Sequence, residues 1–215
     1  MTRKFISKNQ INRYPIYLNY LKSLNFSNED FISNKQISDA LNINLEVVKK
    51  DLAAISSNKG LPRIGRKVID LIDDIEKFIG IKNTLNAILI GAGHLGKALL
   101  NFDEFKSTGL NIVGAFDVNP LLYEIDINGV NVYPMEKIED FIEKHDVSIA
   151  ILTIPSSVAQ DIVNRLEKTN IKAIWNFAPV NLVSKTDIII ETTLLSQSYA
   201  NIYHRLILNQ KRRGK

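Results

Sequence analysis

Cysteine is absent from the sequence, which removes disulfides, thiolate nucleophiles and cysteine-bound metal together. Long apolar runs are also missing, none approaching the ~18 residues that a membrane span needs. The opening stretch, MTRKFISKNQ, lacks the apolar core of an export signal. These absences lead to the expectation of a cytoplasmic protein with no membrane partner. Histidines number three. His145 and His204 have no companion at metal-ligand or catalytic spacing, so neither a metal site nor a catalytic residue is expected. Internal repeats and low-complexity tracts are lacking as well.

What is present is a folding composition, 45% apolar and 23% charged over 215 residues, enough for one large domain or two small ones. The net charge of +4 is unevenly spread. The first 67 residues carry 12 Lys/Arg against 5 Asp/Glu, residues 81–205 carry 10 against 14, and the last ten carry 4 against none. A basic head before an acidic body points to a polyanion partner for the head alone; a solvated charged surface is the plainer reading of charge by itself.

Residues 10–24 place Ile11, Tyr14, Leu18 and Leu21 at helical spacing, with Pro15 in the first turn. A second helix is predicted over 33–41, capped by Ser33 and burying Ile37, Ala40 and Leu41. A third follows Asn44, over LEVVKKDLAAIS, with Val47 or Val48, Leu52 and Ile55 inward. Two helices joined by a tight turn make a helix-turn-helix. The next stretch, SNKGLPRIGRKV, reads as a β-hairpin wing. Residues 68–79 form a connecting helix with Ile69, Ile72, Ile75 and Ile79 along one side, stopped by Gly80. Beyond it strands and helices alternate. Strands are predicted at 85–90, 111–116, 131–133, 148–154, 173–177 and 188–192, and helices after the first strand through Leu100, at 135–144 and at 158–169. Such alternation implies a parallel sheet with helices on both faces. A last helix, 196–210, sets Tyr199, Ile202, Tyr203, Leu206 and Ile207 on one face.

The strand LNAILI runs into Gly91-Ala92-Gly93-His94-Leu95-Gly96 and a helix leaves it. This is the setting in which G-x-G-x-x-G marks a Rossmann dinucleotide site. Gly91 permits the turn, Gly93 lets a pyrophosphate approach, and Gly96 lets helix and strand pack closely. Asp117 lies 21 residues after Gly96 at the end of the second strand, where an acid accepts ribose hydroxyls. No Lys or Arg adjoins it, which favours NAD(H) over NADP(H). Coenzyme A or another adenine ligand in the same turn stays open at this point. The chain left over after the Rossmann unit is a basic helix-turn-helix and one helix, with no catalytic setting, so a binding module outranks a dehydrogenase. Glu46, Lys49 and Lys50 on the third helix are the candidate base-reading residues. Ser33, Lys35, Lys59, Arg63, Arg66 and Lys67 are the candidate backbone contacts.

The pieces RYPIYLNYLKSL, ISDALNINLEVVKKDL, LIGAGHLGKALLNF, VGAFDVNP, IAILTIPSSVAQDIVNRL and IKAIWNFAPVNL together resemble the Rex family of redox-sensing repressors over nearly the whole chain. The resemblance implies a winged helix-turn-helix over 1–80, a Rossmann-type NAD(H)-binding domain over 81–195, and a swapped C-terminal dimerisation helix with a basic tail over 196–215. It also implies a homodimer on palindromic double-stranded DNA, released when NADH binds. It implies a cofactor site made of Gly91, Ala92, Gly93, His94, Leu95, Gly96, Asp117 and Val118, with Ile154, Pro155 and the Asn176-Phe177-Ala178-Pro179 loop at the nicotinamide end. The sequence departs from the family pattern at Asn19, Phe102 and Leu194, where the family tends to carry Arg, Tyr and Asp. Phenylalanine and leucine make no charged pair or side-chain hydrogen bond. A divergent regulator that binds NAD(H), coenzyme A or another nucleotide without redox switching is therefore the alternative.

Overall fold

In the computed structural model, which describes residues 6–213, the chain divides into two units at Asn83/Thr84. In the first unit α1 (Lys8–Ile11) and α2 (Tyr14–Ser23) replace the single helix expected over 10–24. Pro15 offers no N–H to the carbonyl of Ile11, so the helix is interrupted at Asn12-Arg13. Ile11 is consequently exposed, while Tyr14, Tyr17, Leu18 and Leu21 are buried. A short strand, β1 (Phe31–Ile32), then leads into α3 (Asn34–Leu41). Ser33 caps α3 in a reciprocal box with Gln36. Ile37 is buried, but Ala40 faces out. Asn42 turns the chain in a left-handed conformation, and Asn44 caps α4 (Leu45–Ile55) through the Glu46 amide.

The wing differs from the expected hairpin. Gly60, Arg63 and Gly65 all have positive φ, which curls residues 61–65 into a turn closed by one bridge, Leu61 to Gly65. The extended residues that follow, β2 (Arg66–Lys67), pair antiparallel with β1 instead. α5 (Val68–Ile79) comes next and ends at Gly80. Its buried stripe is Val68, Leu71 and Ile75, rather than one including Ile69, which is exposed. These residues share one core with Tyr14, Tyr17, Leu21, Ile37, Val48 and Leu52.

In the second unit, β3 (Leu85–Ile90), α6 (His94–Leu100), α7 (Glu104–Ser107) and β4 (Leu110–Asp117) precede a short β5 (Asp126–Ile127) and β6 (Val130–Pro134). A 3-10 turn, Met135–Lys137, starts α8 (Ile138–Lys144), followed by β7 (Val147–Leu152), α9 (Ser156–Leu166), β8 (Ala173–Asn176) and β9 (Ile189–Thr192). α7 and β5 are too short to announce themselves by periodicity. β7 ends two residues before the expected position, and α9, with Pro155 as its N-cap, begins correspondingly earlier. The sheet order is β5-β6-β4-β3-β7-β8-β9, parallel except for the β5–β6 pair.

Alternate residues of β3 supply separate cores on the two faces. Ile88 and Ile90 join Phe116, Ile138, Leu152 and Val163, whereas Ala87 and Leu89 join Leu100, Ala115, Val132 and Ile151. Burial on both sides explains why the strand reads as a nearly continuous apolar run. The chain closes with α10 (Leu195–Arg213), on which Tyr199, Ile202, Tyr203 and Leu206 are exposed. The side chains of the expected basic tail, Lys211, Arg212, Arg213 and Lys215, lie outside the described residues. Among the described residues no helix is long and apolar enough to cross a membrane.

Candidate nucleotide cleft and nucleic-acid face

β3 and β7 are neighbours whose connections leave to opposite sides of the sheet, and a crevice forms outside their carboxyl ends. The glycine turn lies there. Gly91 has φ +99°, and a Cβ on it would come within 2.7 Å of the Thr153 carbonyl oxygen. A Cβ on Gly96 would sit 2.1 Å from the Gly91 oxygen. Both residues are therefore required by the protein's own packing. Gly93 differs, since a Cβ there would meet nothing within 4 Å. It lines a cleft of about 660 Å³ together with Gly91, Asp117, Val118, Met135, Ile154 and Pro155, a size suited to a small-molecule ligand. The space kept clear over Gly93 leaves its backbone open to the approach of a ligand.

Asp117 ends β4 with both carboxylate oxygens engaged. Oδ2 accepts the Ala92 amide at 2.7 Å and Oδ1 accepts the Asn119 amide at 2.8 Å. The Thr153 hydroxyl donates to the Gly91 carbonyl at 2.6 Å, tying the turn to β7. His94 is exposed, and Leu95 is half-buried. Sequence reasoning missed Glu136, Asp161 and Arg165, which also line the cleft. Arg165 forks onto Glu139 and donates to the Met135 carbonyl at 2.8 Å, so α9 holds the 3-10 turn that walls the cleft. The hydrogen bonds from Arg165 keep the Glu139 carboxyl below its usual range. No periodic signal marks such a pair, because its partners are 26 residues apart.

The Asn176–Pro179 loop is not among the residues that line this cleft. Asn176 is fully buried, and its amide donates to the Ala178 and Val180 carbonyls at 3.1 Å each while accepting the Ala178 amide at 2.9 Å. It shapes the loop from inside. Ala178 is buried, Phe177 half-buried and Pro179 exposed. The loop stands on the same rim, since the Phe177 amide donates to the Leu152 carbonyl at 2.9 Å. A line of rings extends from it: Phe177 to Trp175 at 4.9 Å, Trp175 to Phe105 at 5.6 Å, and Phe105 to Phe102 at 5.0 Å between centroids. Phe102 and Leu194 are both partly exposed, and Asn19 lies on the outer face of α2.

On the helix-turn-helix, Glu46, Lys49 and Lys50 all face outward on α4. Lys49 pairs with Glu46 at 2.7 Å and Lys35 with Asp39 at 3.0 Å. Lys67 pairs with Glu29 at 2.8 Å, which raises the lysine's pKa. Lys59 and Arg63 are exposed on the wing turn. The Ser33 hydroxyl is taken up by its cap and Gln36. Arg66 turns inward: Nη1 donates to Asn34 at 3.0 Å, Nε is buried without a protein partner, and burial lowers the pKa. Arg66 is thus the expected backbone contact that the structure least offers. The residue that sequence reasoning missed here is Asp51, buried on α4 among the apolar positions. Its signal was positional, because it falls on the same stripe as Val48, Leu52 and Ile55. Among the described residues no group of three or more His, Cys, Asp or Glu is placed to hold a metal ion.

Two family profiles match the chain: one described as a putative DNA-binding protein N-terminus, over residues 5–53, and one described as a CoA binding domain, over residues 82–180. A redox-sensing transcriptional repressor Rex of Caldanaerobacter subterraneus subsp. tengcongensis is 38% identical, with 96% of this chain and 92% of that protein covered. The Rex repressor of Bacteroides thetaiotaomicron is 37% identical, with 93% and 90% covered. Among solved structures, RSP, a Rex-family repressor, in complex with NAD⁺ and operator DNA superimposes with a TM-score of 0.87 at 35% identity, with 99% of both chains covered. The NADH complex of RSP gives 0.86 at 35% identity, with 98% and 99% covered.

Proposed function

The chain belongs to the Rex family of redox-sensing transcriptional repressors, and from that premise we propose how its parts divide the work. It is a DNA-binding repressor that senses the NADH/NAD⁺ state, and its cofactor is NAD(H). The observation that carries the cofactor reading is the open space over Gly93 beside Asp117. In this reading the amides of the Gly91–Gly96 turn hold the pyrophosphate. Asp117 keeps the turn in place through Ala92 and accepts the ribose hydroxyls with its remaining lone pairs. Val118, Ile154 and Pro155 flank the ligand, and the 176–179 loop meets its nicotinamide end as a shaped backbone. The nicotinamide supplies a ring that is cationic when oxidised and neutral when reduced.

Residues 1–80 form the DNA-binding domain, with Lys49 and Lys50 of α4 in the major groove and Lys59 and Arg63 on the backbone. Residues 81–195 bind the nucleotide. Residues 196–215 form a dimerisation helix and basic tail: the exposed apolar face of α10 supports this, and a two-fold protein suits a palindromic operator. The protein works where the DNA is, in the cytoplasm, and carries no catalytic residue.

The test is fluorescence anisotropy of an AT-rich palindromic duplex titrated with protein alone, with NAD⁺ and with NADH, at one salt concentration. Tight binding released by NADH is the expected result, and binding indifferent to both nucleotides overturns the redox reading. The CoA binding domain profile over residues 82–180 gives coenzyme A as the competing ligand. Release by coenzyme A in place of NADH would establish that reading.

A further inference from the structure

The buried stripe of α4 contains a carboxylate. Val48 and Leu52 are fully buried, and Asp51, between them, is 1% exposed. A leucine would fill this place at far lower cost, since taking a charged group out of water costs several kcal/mol per ion. Both carboxylate oxygens of Asp51 are instead engaged from α2 and the residue before it. Oδ2 accepts Arg13 Nε at 2.6 Å and the Tyr17 hydroxyl at 2.8 Å, and Oδ1 accepts Arg13 Nη2 at 2.9 Å. The backbone carbonyl of the same residue accepts the Tyr14 hydroxyl at 3.0 Å, and Gln10 donates to Tyr14 at 3.1 Å. Side chain and main chain at one position of α4 are therefore gripped together.

We propose that Arg13 and Asp51 are positioning residues for DNA reading, fixing the rotation of α4 about its own axis so that Lys49 and Lys50 meet particular bases. The proposal rests on the DNA-binding reading given above. Apolar packing is non-directional, and a helix seated by Val48 and Leu52 alone is free to roll slightly. A roll of about 20° carries a group about 6 Å from the axis through about 2 Å, enough to break a hydrogen bond to a base edge. A planar guanidinium fork on a carboxylate resists that roll because both of its bonds must stay aligned. Lys49 and Lys50 directly precede Asp51, so its orientation is passed to them within one turn. Burial and the neighbouring carboxylate raise the Tyr17 pKa, which keeps its hydroxyl a donor.

A network whose role is orientation predicts a specific separation of readouts. The variant Arg13→Met/Asp51→Leu replaces the ion pair with apolar groups, a change that often leaves folding intact or improves it. The operator probe is the two-fold-symmetric duplex that the wild type selects from a random pool, and the control is a scrambled duplex of the same composition. The double variant is expected to stay folded, its melting temperature lowered only by the lost acceptor of the Tyr17 hydroxyl, and to keep its NADH affinity and the affinity and salt slope for the scrambled duplex. Its operator affinity is expected to fall tenfold or more. Arg13→Lys keeps the charge but loses the fork, and it is expected to lower the operator-to-scrambled ratio severalfold even if the double variant fails to fold. An unchanged ratio in a folded variant overturns the proposal and leaves the DNA-binding reading standing. A wild type that selects no duplex removes both.

Discussion

The carboxylate of Asp117 accepts the amide of Ala92 at 2.7 Å across 25 residues of sequence. The acidic end of β4 thus holds the glycine turn in its shape. Asp117→Ala removes both this brace and the proposed ribose acceptor. Hydrogen bonds to charged groups contribute about 1.5–3 kcal/mol, so calorimetry should find NADH and NAD⁺ both bound roughly 10- to 100-fold more weakly. Unaltered affinity would show that the ribose does not sit at Asp117.

Gly93→Ala and Gly96→Ala separate the two demands made on the turn. A Cβ at 93 meets no protein atom within 4 Å, so the melting temperature should hold while nucleotide binding is lost. A Cβ at 96 would lie 2.1 Å from the Gly91 oxygen, and overpacking of this kind costs about 1–3 kcal/mol. Thermal unfolding with and without NADH checks both, and a Gly93→Ala protein that binds NADH normally would move the pyrophosphate elsewhere.

Lys49→Ala should weaken operator binding by about 1–3 kcal/mol and leave nucleotide affinity unchanged. The Lys49–Glu46 pair is exposed on both sides, so its loss should cost the fold less than about 1 kcal/mol. Anisotropy on the operator duplex decides, and undiminished binding would remove Lys49 from the reading face.

Glu139 carries a pH dependence with a definite sign. Arg165 lowers its folded pKa, so the pair contributes stability above the ordinary carboxylate pKa and loses it as pH falls through the lowered one. Both side chains are partly exposed, and screening limits the effect to about 1 kcal/mol or less. Melting curves from neutral to acid pH should fall less steeply for Glu139→Gln than for the wild type. Parallel curves would assign the acid loss to other carboxylates.

The exposed face of α10 makes an assembly prediction. Tyr199, Ile202, Tyr203 and Leu206 are each more than half exposed, and an apolar patch of that kind marks an interaction site. Ile202→Asp/Leu206→Asp should sediment as a monomer and bind a palindromic operator far more weakly than the wild type. A variant that remains dimeric would place the interface elsewhere.

The sequence alone determined the features that follow from local rules. The helix-turn-helix was legible because Ser33 and Asn44 are N-caps and Ile37, Val48 and Leu52 recur at helical spacing. The tight turn after β3 was legible because glycine spacing and an acid at the end of the next strand report backbone geometry directly. Tertiary structure decided what depends on residues far apart in the chain. Arg13 reaches Asp51 across 38 positions and Arg165 reaches Glu139 across 26, and neither pair leaves a periodic trace. The wing strand pairs with Phe31–Ile32 because positive φ at Gly60, Arg63 and Gly65 consumes the expected hairpin in a turn. The role of Asn176 inside its own loop is of the same kind, since only the fold shows that the Ala178 and Val180 carbonyls converge on its amide. Spacing encodes elements, whereas the partners of a buried polar group are set by which elements the fold brings together.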